Sequence, residues 1–305
     1  MDIVDIVTVM ERLGGVATWA QLSTSVAPAE IALAVETGRV HRTGRGRYAL
    51  PTAHEARVAA HRLSAVVGLR SAAASYGWAL KTQPERPEVI VPRGRKVRSR
   101  DQATTDVRWR RLADEDIAGW RTTPIRTVMD CATTLPFDEA LAVADSALRV
   151  STLAPSDLVV AAVRLPGRGR DAAMEVAWQA DARSAGPFES IVRAISIGVP
   201  GLRLVPQVRL RLAGRLIRPD LVDRDLRIIV EADSHEFHTT REAIDRDCWR
   251  YDELVLDDWL VVRVSWVQAM FQQPWVEAVL RRAVDRQQAK LRTTIALARG
   301  YRPAE

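Results

Sequence analysis

The sequence predicts a mixed α/β chain, more specifically an α+β protein of several domains, on three observations. Segments of helical period alternate with short β-branched runs over most of the length. A carboxyl-terminal stretch reads as two antiparallel strands, a helix and a further strand. The 305 residues are enough for two or three cores.

At the amino-terminal end, residues 3–13 read as a helix closed by Gly14 and Gly15, and Thr18 as the N-cap of a short helix reaching Ser25. Pro28 opens another helix that runs to Glu36 and stops near Gly38. The following residues, Arg39 to Leu50, read as two short strands about a Gly44-Arg45-Gly46 turn. Three helices and a basic hairpin make a winged helix-turn-helix over residues 1–52. This segment resembles the amino-terminal domain of the abortive-infection antitoxin family of transcriptional regulators. The resemblance implies DNA binding and a cognate toxin-like protein as a partner. Arg39, Arg42, Arg45 and Arg47 concentrate positive charge where a wing meets phosphates. Winged helices also dock proteins, and that reading stays open.

Residues 53–163 read as a mixed middle domain. Leu63–Trp78 has the small-residue pattern of a packed helical segment, and Pro87–Pro92 contains a short strand. Five cations follow within residues 93–100, a run that is usually a solvated loop. It precedes Val107-Arg108-Trp109-Arg110-Arg111, an alternating strand with an aromatic ring among cations. That context makes Arg95, Lys96 and Arg98 candidate nucleic-acid contacts. Thr122–Cys131 resembles a segment from the middle of the antitoxin-like family. The Pro-, Gly- and Arg-rich stretch Arg164–Arg170 predicts a linker over 164–179.

The richest chemistry lies in residues 180–292, ahead of a tail at 293–305. Leu216–Val222 and Leu226–Val230 are aliphatic runs about an Asp223-Arg224-Asp225 turn, which predicts antiparallel pairing. Alternation then puts Glu231 and Asp233 on one side, Cα atoms roughly 7 Å apart, with Asp220 approaching from the neighbouring strand. Carboxylates converging there repel one another unless a cation neutralises them, and a hard divalent ion suits oxygen ligands. From Pro219 to Asp258 there are thirteen Asp or Glu against five Arg, an acidic island in a basic chain. Asp223, Asp225, Asp257 and Asp258 read as solvated. Asp220 and Glu231 sit among aliphatics, where a lone carboxylate is costly.

The order Pro219-Asp220, ten residues, then Glu231-Ala232-Asp233 on an apolar strand resembles the PD-(D/E)XK nuclease superfamily, in its very-short-patch-repair-like endonuclease branch. Asp245-Arg246-Asp247, Arg250-Tyr251 and Trp259–Trp266 extend the likeness, and Glu189 in Ser184–Ser190 matches the acid of the family's first core helix. The resemblance covers about residues 180–290. It implies a restriction-endonuclease-like, three-layer αβα core with a central mixed sheet, and a DNA endonuclease dependent on Mg²⁺ or Mn²⁺. It further implies Glu189, Asp220, Glu231, Asp233 and His238 as the site, with Asp220, Glu231 and Glu189 as metal ligands. Asp233 stands where the superfamily usually has Lys, and Ser234 where it usually has Gly. His238 titrates near neutrality and could take a proton from water, or could cap the following helix. His235 reads as solvent-facing.

A helix is predicted over 240–256 with Ala243, Ile244, Cys248, Tyr251, Leu254 and Val255 on its apolar face. Arg246 and Arg250 share another face, where they either hold DNA phosphates or pair with neighbouring acids. Arg263 interrupts an apolar strand and needs a partner among the carboxylates.

A net charge of +6 and a pI near 9.9 favour a polyanionic partner whose binding weakens with salt. Cys131 and Cys248 show neither a disulfide framework nor metal-ligand spacing. The acidic first residues lack the basic region of a signal peptide, and no apolar run is long enough to span a bilayer, so the expectation is a cytoplasmic protein without membrane contact. Cutting both strands would call for two sites, as in a homodimer. A different class stays open beside the nuclease: a DNA-binding regulator, or an antitoxin-like protein, with a catalytically silent nuclease fold.

Overall fold

The computed structural model describes residues 5–233 and 241–300, without the side chains of 241–244 and 296–300. The chain divides into two compact units, residues 1–78 with 82–131, and residues 79–81 with 132–305. Both units mix helices and sheets. No helix among the described residues is long and apolar enough to cross a membrane.

The first unit begins with α1 (Ile6–Arg12), β1 (Val16–Thr18), α2 (Trp19–Leu22), α3 (Pro28–Glu36), β2 (His41–Gly44) and β3 (Arg47–Ala49). Asp5 caps α1, and Gly14 and Gly15 leave it at φ +78° and +85°, a region open to glycine. Thr18 and Gln21 form a reciprocal capping box at α2. The strands make one antiparallel sheet in the order β1-β3-β2, and Ile6, Met10, Leu22, Ile31, Val40 and Tyr48 fill the core beneath it.

The same unit continues through α4 (Glu55–Leu63), β4 (Val66–Val67), α5 (Leu69–Ser75), β5 (Glu88–Val91), α6 (Ser99–Gln102), β6 (Asp106–Trp109), β7 (Ile117–Ala118), β8 (Arg121–Thr122) and α7 (Pro124–Ala132). Leu63–Trp78 is therefore not one helical segment. Ser64 ends α4 in a left-handed conformation, and β4 joins a five-stranded sheet in the order β6-β5-β4-β8-β7. Gly68 admits Ile90 so closely that a Cβ there would lie 2.6 Å from the Ile90 Cδ1 atom.

The second unit contains α8 (Phe137–Val150), α9 (Pro155–Arg164), α10 (Gly169–Gln179), α11 (Pro187–Ile197), β9 (Val205–Pro206), β10 (Leu210–Leu212), β11 (Arg215–Ile217), β12 (Leu221–Asp223), β13 (Ile228–Asp233), α12 (Arg241–Leu256), β14 (Leu260–Ser265), α13 (Trp266–Phe271) and α14 (Gln273–Gly300). Two expectations are corrected here. Residues 169–179 form α10, packed on α8 and α9, rather than a linker, and α14 runs through the stretch expected as a tail from 293 to Gly300. The division between units falls at 131/132, inside the expected middle domain of 53–163, and residues 132–179 join the second unit, where α8 packs on α11.

A four-stranded mixed sheet, β14-β13-β12-β9, lies at the centre, with β13 and β14 parallel and the other pairs antiparallel. Leu221, Ile228, Val230 and Val264 face a core shared with Ile191 of α11 and with Val276 and Leu280 of α14. Val222 and Ile229 pack on the other side with Leu254 of α12 and with the β10–β11 hairpin. The run Leu216–Val222 is not one strand. Pro219 has no N–H for a ladder, so β11 pairs with β10 and the chain resumes as β12 opposite β13. The turn is Arg224–Arg227, and Asp223 is buried at its edge, accepting from the Leu226 N–H at 2.9 Å and the Arg203 N–H at 2.8 Å. Asp223 is thus a structural cap instead of a solvated turn residue. Asp225, Asp257 and Asp258 are exposed.

Candidate functional site

Three of the expected acids meet at one end of the central sheet. Asp220 enters β12, Glu231 lies on β13 opposite it, and Glu189 stands in the first turn of α11. The Asp220 N–H donates to Glu231 Oε2 at 3.3 Å, and Asp220 Oδ2 accepts from the Ala232 N–H at 2.9 Å. Gln207 bridges to the helix, its Nε2 donating to Asp220 Oδ1 at 3.3 Å and to Glu189 Oε2 at 2.9 Å. The Ala185 N–H adds a 3.0 Å bond to the same Glu189 oxygen.

Burial makes this cluster electrostatically tense. Glu189 is 4% exposed and Glu231 6%. Burial pushes the Glu189 carboxyl up to about 7, and the nearby Asp220 charge adds to the rise against the bond from Ala185. Glu231 is also raised to about 7, first by burial, with the Arg250 guanidinium pulling down and Asp220 pushing up. The Oε1 atoms of both glutamates are buried without a hydrogen-bond partner among the described residues. Such oxygens are rare in folded proteins and call for an explanation.

Asp233 departs from the trio. It shares the Glu231 side of β13 but pairs with Arg263 of β14, the carboxylate partner that Arg263 needs within its strand. Arg250 turns in toward the acids. Of the two readings open for it, phosphate contact or pairing with a neighbouring acid, the structure has the pairing: its Nη2 lies 3.4 Å from Asp247 Oδ1, and its Nη1 3.5 Å from Glu231 Oε1, a partner not expected. Its guanidinium also lies over the Tyr251 ring. Arg246, one turn earlier, is exposed. The apolar face of α12 is Trp249, Tyr251 and Leu254, whereas Cys248 and Val255 are exposed. His238 and His235 lie outside the described residues.

Gln207 is the site residue that sequence reasoning missed, and the Glu231 partner of Arg250 is the contact it did not foresee. Gln207 follows Pro206 with φ +57°, a strained value for a residue with a Cβ, which aims its amide between two acids. No spacing in the chain signals this.

The family resemblance implies a divalent cation. In kind the residues fit one: three carboxylates are brought together, two of them with their pKa raised to about 7, and two buried oxygens make no hydrogen bond, although Arg250 stands 3.5 Å from one of them. The N–H groups that tie the trio occupy its other oxygens. Among the described residues no three His, Cys, Asp or Glu side chains stand in a ligating arrangement.

The expected nucleic-acid contacts of the first unit separate into two kinds. Arg42, Arg45, Lys96 and Arg98 are exposed. Arg47 and Arg95 are instead tied to the end of α4. Arg47 donates to the His61 carbonyl and the Ser64 hydroxyl, and Arg95 Nη1 donates to the Ser64 carbonyl at 2.8 Å. The carboxyl-terminal end of a helix carries partial negative charge, which suits both cations.

No protein-family model matches this chain, nor does any curated protein. Among solved structures, the RV2827C protein from Mycobacterium tuberculosis is similar at 13% identity and a TM-score of 0.36, over 67% of this chain and 83% of that one.

Proposed function

We propose that the chain is a metal-dependent DNA endonuclease, with a PD-(D/E)XK-type domain in the second unit and a winged helix-turn-helix in the first. The observation that carries the reading is the convergence of Glu189, Asp220 and Glu231 on one end of a mixed sheet, with Glu189 Oε1 buried without a hydrogen bond and Glu231 Oε1 facing only the Arg250 cation at 3.5 Å. Helix layers on both faces of that sheet support it. The order helix, strand, helix, helix, hairpin in residues 6–49 supports the winged helix.

Asp220, Glu231 and Glu189 would hold Mg²⁺ or Mn²⁺. When bound, such an ion supplies Lewis-acid polarisation of a phosphoryl oxygen and a lowered pKa for water. Gln207 orients Glu189 and Asp220 through its amide. Arg250 holds positive charge beside Glu231, where residue 233 offers an acid instead of a lysine. His238 remains the candidate to accept a proton from the attacking water.

A second reading has its own observation. With Asp233 paired to Arg263 and no ligating arrangement among the described acids, the second unit also suits a silent nuclease fold in a DNA-binding regulator or antitoxin-like protein. Cleavage of supercoiled and single-stranded DNA with Mg²⁺, Mn²⁺ or EDTA separates the two. The nuclease reading expects metal-dependent nicking that Asp220→Ala and Glu231→Ala abolish while DNA binding persists. Tight DNA binding without cleavage of any substrate would transfer the conclusion to the regulator.

A further inference from the structure

We infer that the first unit contains a built seat for the phosphodiester backbone of a nucleic acid, formed jointly by the β2–β3 turn and the loop before α6. The inference deepens the DNA-directed reading above and rests on it. Its basis is a concave cavity of about 530 Å³ whose wall joins two segments some fifty residues apart in sequence. Five cations line it besides the two tied arginines: Arg45 from the hairpin turn, Arg62 from α4, and Lys96, Arg98 and Arg100 from the loop and α6. Asp101 is the one acid in the lining, and it stands 3.8 Å from Arg62.

The tied arginines explain how the seat is built. Arg47 and Arg95 anchor β3 and the loop to the same helix end, and their charges cover carbonyls that would otherwise turn negative potential toward the cavity. The Trp109 Nε1 atom donates to the Arg95 carbonyl at 2.8 Å, fixing the loop from the other side. Arg45, Lys96, Arg98 and Arg100 then remain without a hydrogen bond or ion pair among the described residues, held close together against their mutual repulsion. Two further polar atoms of lining residues, Thr43 Oγ1 and Arg62 Nε, are buried without partners.

The lining also decides what part of a nucleic acid is held. It contains no aromatic ring on which a base could stack and no Asn or Gln to pair with adenine; its arginines and lysine can read guanine, but there are far more cations than a base edge engages. Cations and hydroxyls contact phosphate and sugar, which fixes register without reading sequence. A dense cluster of cations without a stacking ring therefore suits the backbone, and four free cations correspond to about four neutralised phosphates.

The test is salt-dependent binding of two unrelated DNA duplexes to the full chain, read by fluorescence anisotropy. Replacing Arg45, Lys96, Arg98 and Arg100 together by Gln should lower the log–log salt slope by about 3 to 4, and each single change by about 0.9, equally for both duplexes. These side chains are exposed, so an unchanged circular dichroism spectrum and melting temperature are expected. By contrast, Arg47→Gln should lower the melting temperature. A slope unaltered in the fourfold variant would overturn the proposal, as would a loss confined to one sequence, or wild-type protein that fails to bind DNA. Calorimetric binding of inorganic pyrophosphate as tight as that of duplex DNA would also overturn it, assigning the cavity to a small anion. Protein that binds with the expected slopes but cleaves nothing would remove the nuclease reading and leave this one standing.

Discussion

Replacing Arg250 by Met should cost little at pH 6 and appreciably more at pH 8. The substitution keeps most of the side-chain stem over Tyr251 while removing the charge 3.5 Å from Glu231 Oε1. With an effective dielectric of about 20, two unit charges at that distance interact by roughly 4 to 5 kcal/mol, or about 3 pK units. Glu231, already raised to about 7, would then be raised further still.

Neutralisation limits the damage. Above about pH 7 the wild-type carboxyl ionises beside Arg250 while the variant retains its proton, so the penalty grows with the free energy of that ionisation. Linkage makes that penalty negligible at pH 6, on the order of 1 kcal/mol at pH 8 and roughly 2 to 3 kcal/mol at pH 9, on top of any pH-independent packing loss. Urea unfolding of both proteins in EDTA, repeated across this range, measures the difference. A penalty that stays level from pH 6 to pH 9 would refute the reasoning, because Arg250 would then be packing on Tyr251 without holding the Glu231 charge.

Glu189 gives a second expectation of definite sign. Its folded value of about 7 lies above the unfolded 4.5, so stability present at low pH is lost as pH rises from 4.5 through 7; Glu189→Gln should recover about 3 kcal/mol at pH 8 in EDTA while abolishing metal-dependent cleavage. His61 runs the other way. Burial, then the charges of Arg47 and Arg57, lower it from 6.5 to about 4, so stability present above pH 6.5 is lost as pH falls toward 4. With the ring only half-buried, His61→Leu should flatten the acid side of the melting-temperature profile by an amount worth about 1 to 2 kcal/mol. Asp145 and Arg193 form a buried pair at 2.7 Å between α8 and α11, so Asp145→Ala should lower stability by about 3 to 5 kcal/mol in chemical unfolding.

The acids were the legible part of the site, for a physical reason. A carboxylate among aliphatics violates the expected burial pattern, and strand alternation fixes which face it shares. Asp220 and Glu231 could therefore be paired from residue order, even though Pro219 breaks the first predicted strand and moves the turn to Arg224–Arg227. The shift mattered: a turn at 223–225 would have set Asp220 opposite Ile228, whereas the turn at 224–227 gives the register Leu221 to Val230 that brings Asp220 to Glu231. Asp223 shows the limit of reading polarity as exposure: a turn acid is buried when the turn's own N–H groups need it.

Cations were less legible, because a long side chain reaches far beyond the position that sequence assigns it. Arg45 and Arg47 lie two residues apart in one basic run, yet one is exposed at the turn and the other is tied to α4. Arg246 and Arg250 lie one helical turn apart, yet only Arg250 reaches Glu231. Charge density places a basic surface correctly; it does not say which heads are free, since free carbonyls and buried acids compete for them. The presumed linker failed in a similar way. Gly167 and Gly169 read as chain punctuation, but Gly169 opens α10 where a Cβ would lie 2.9 Å from Thr133 Cγ2. Its small size serves close packing there, a use that local sequence cannot distinguish from flexibility because the neighbour that requires it is 36 residues away.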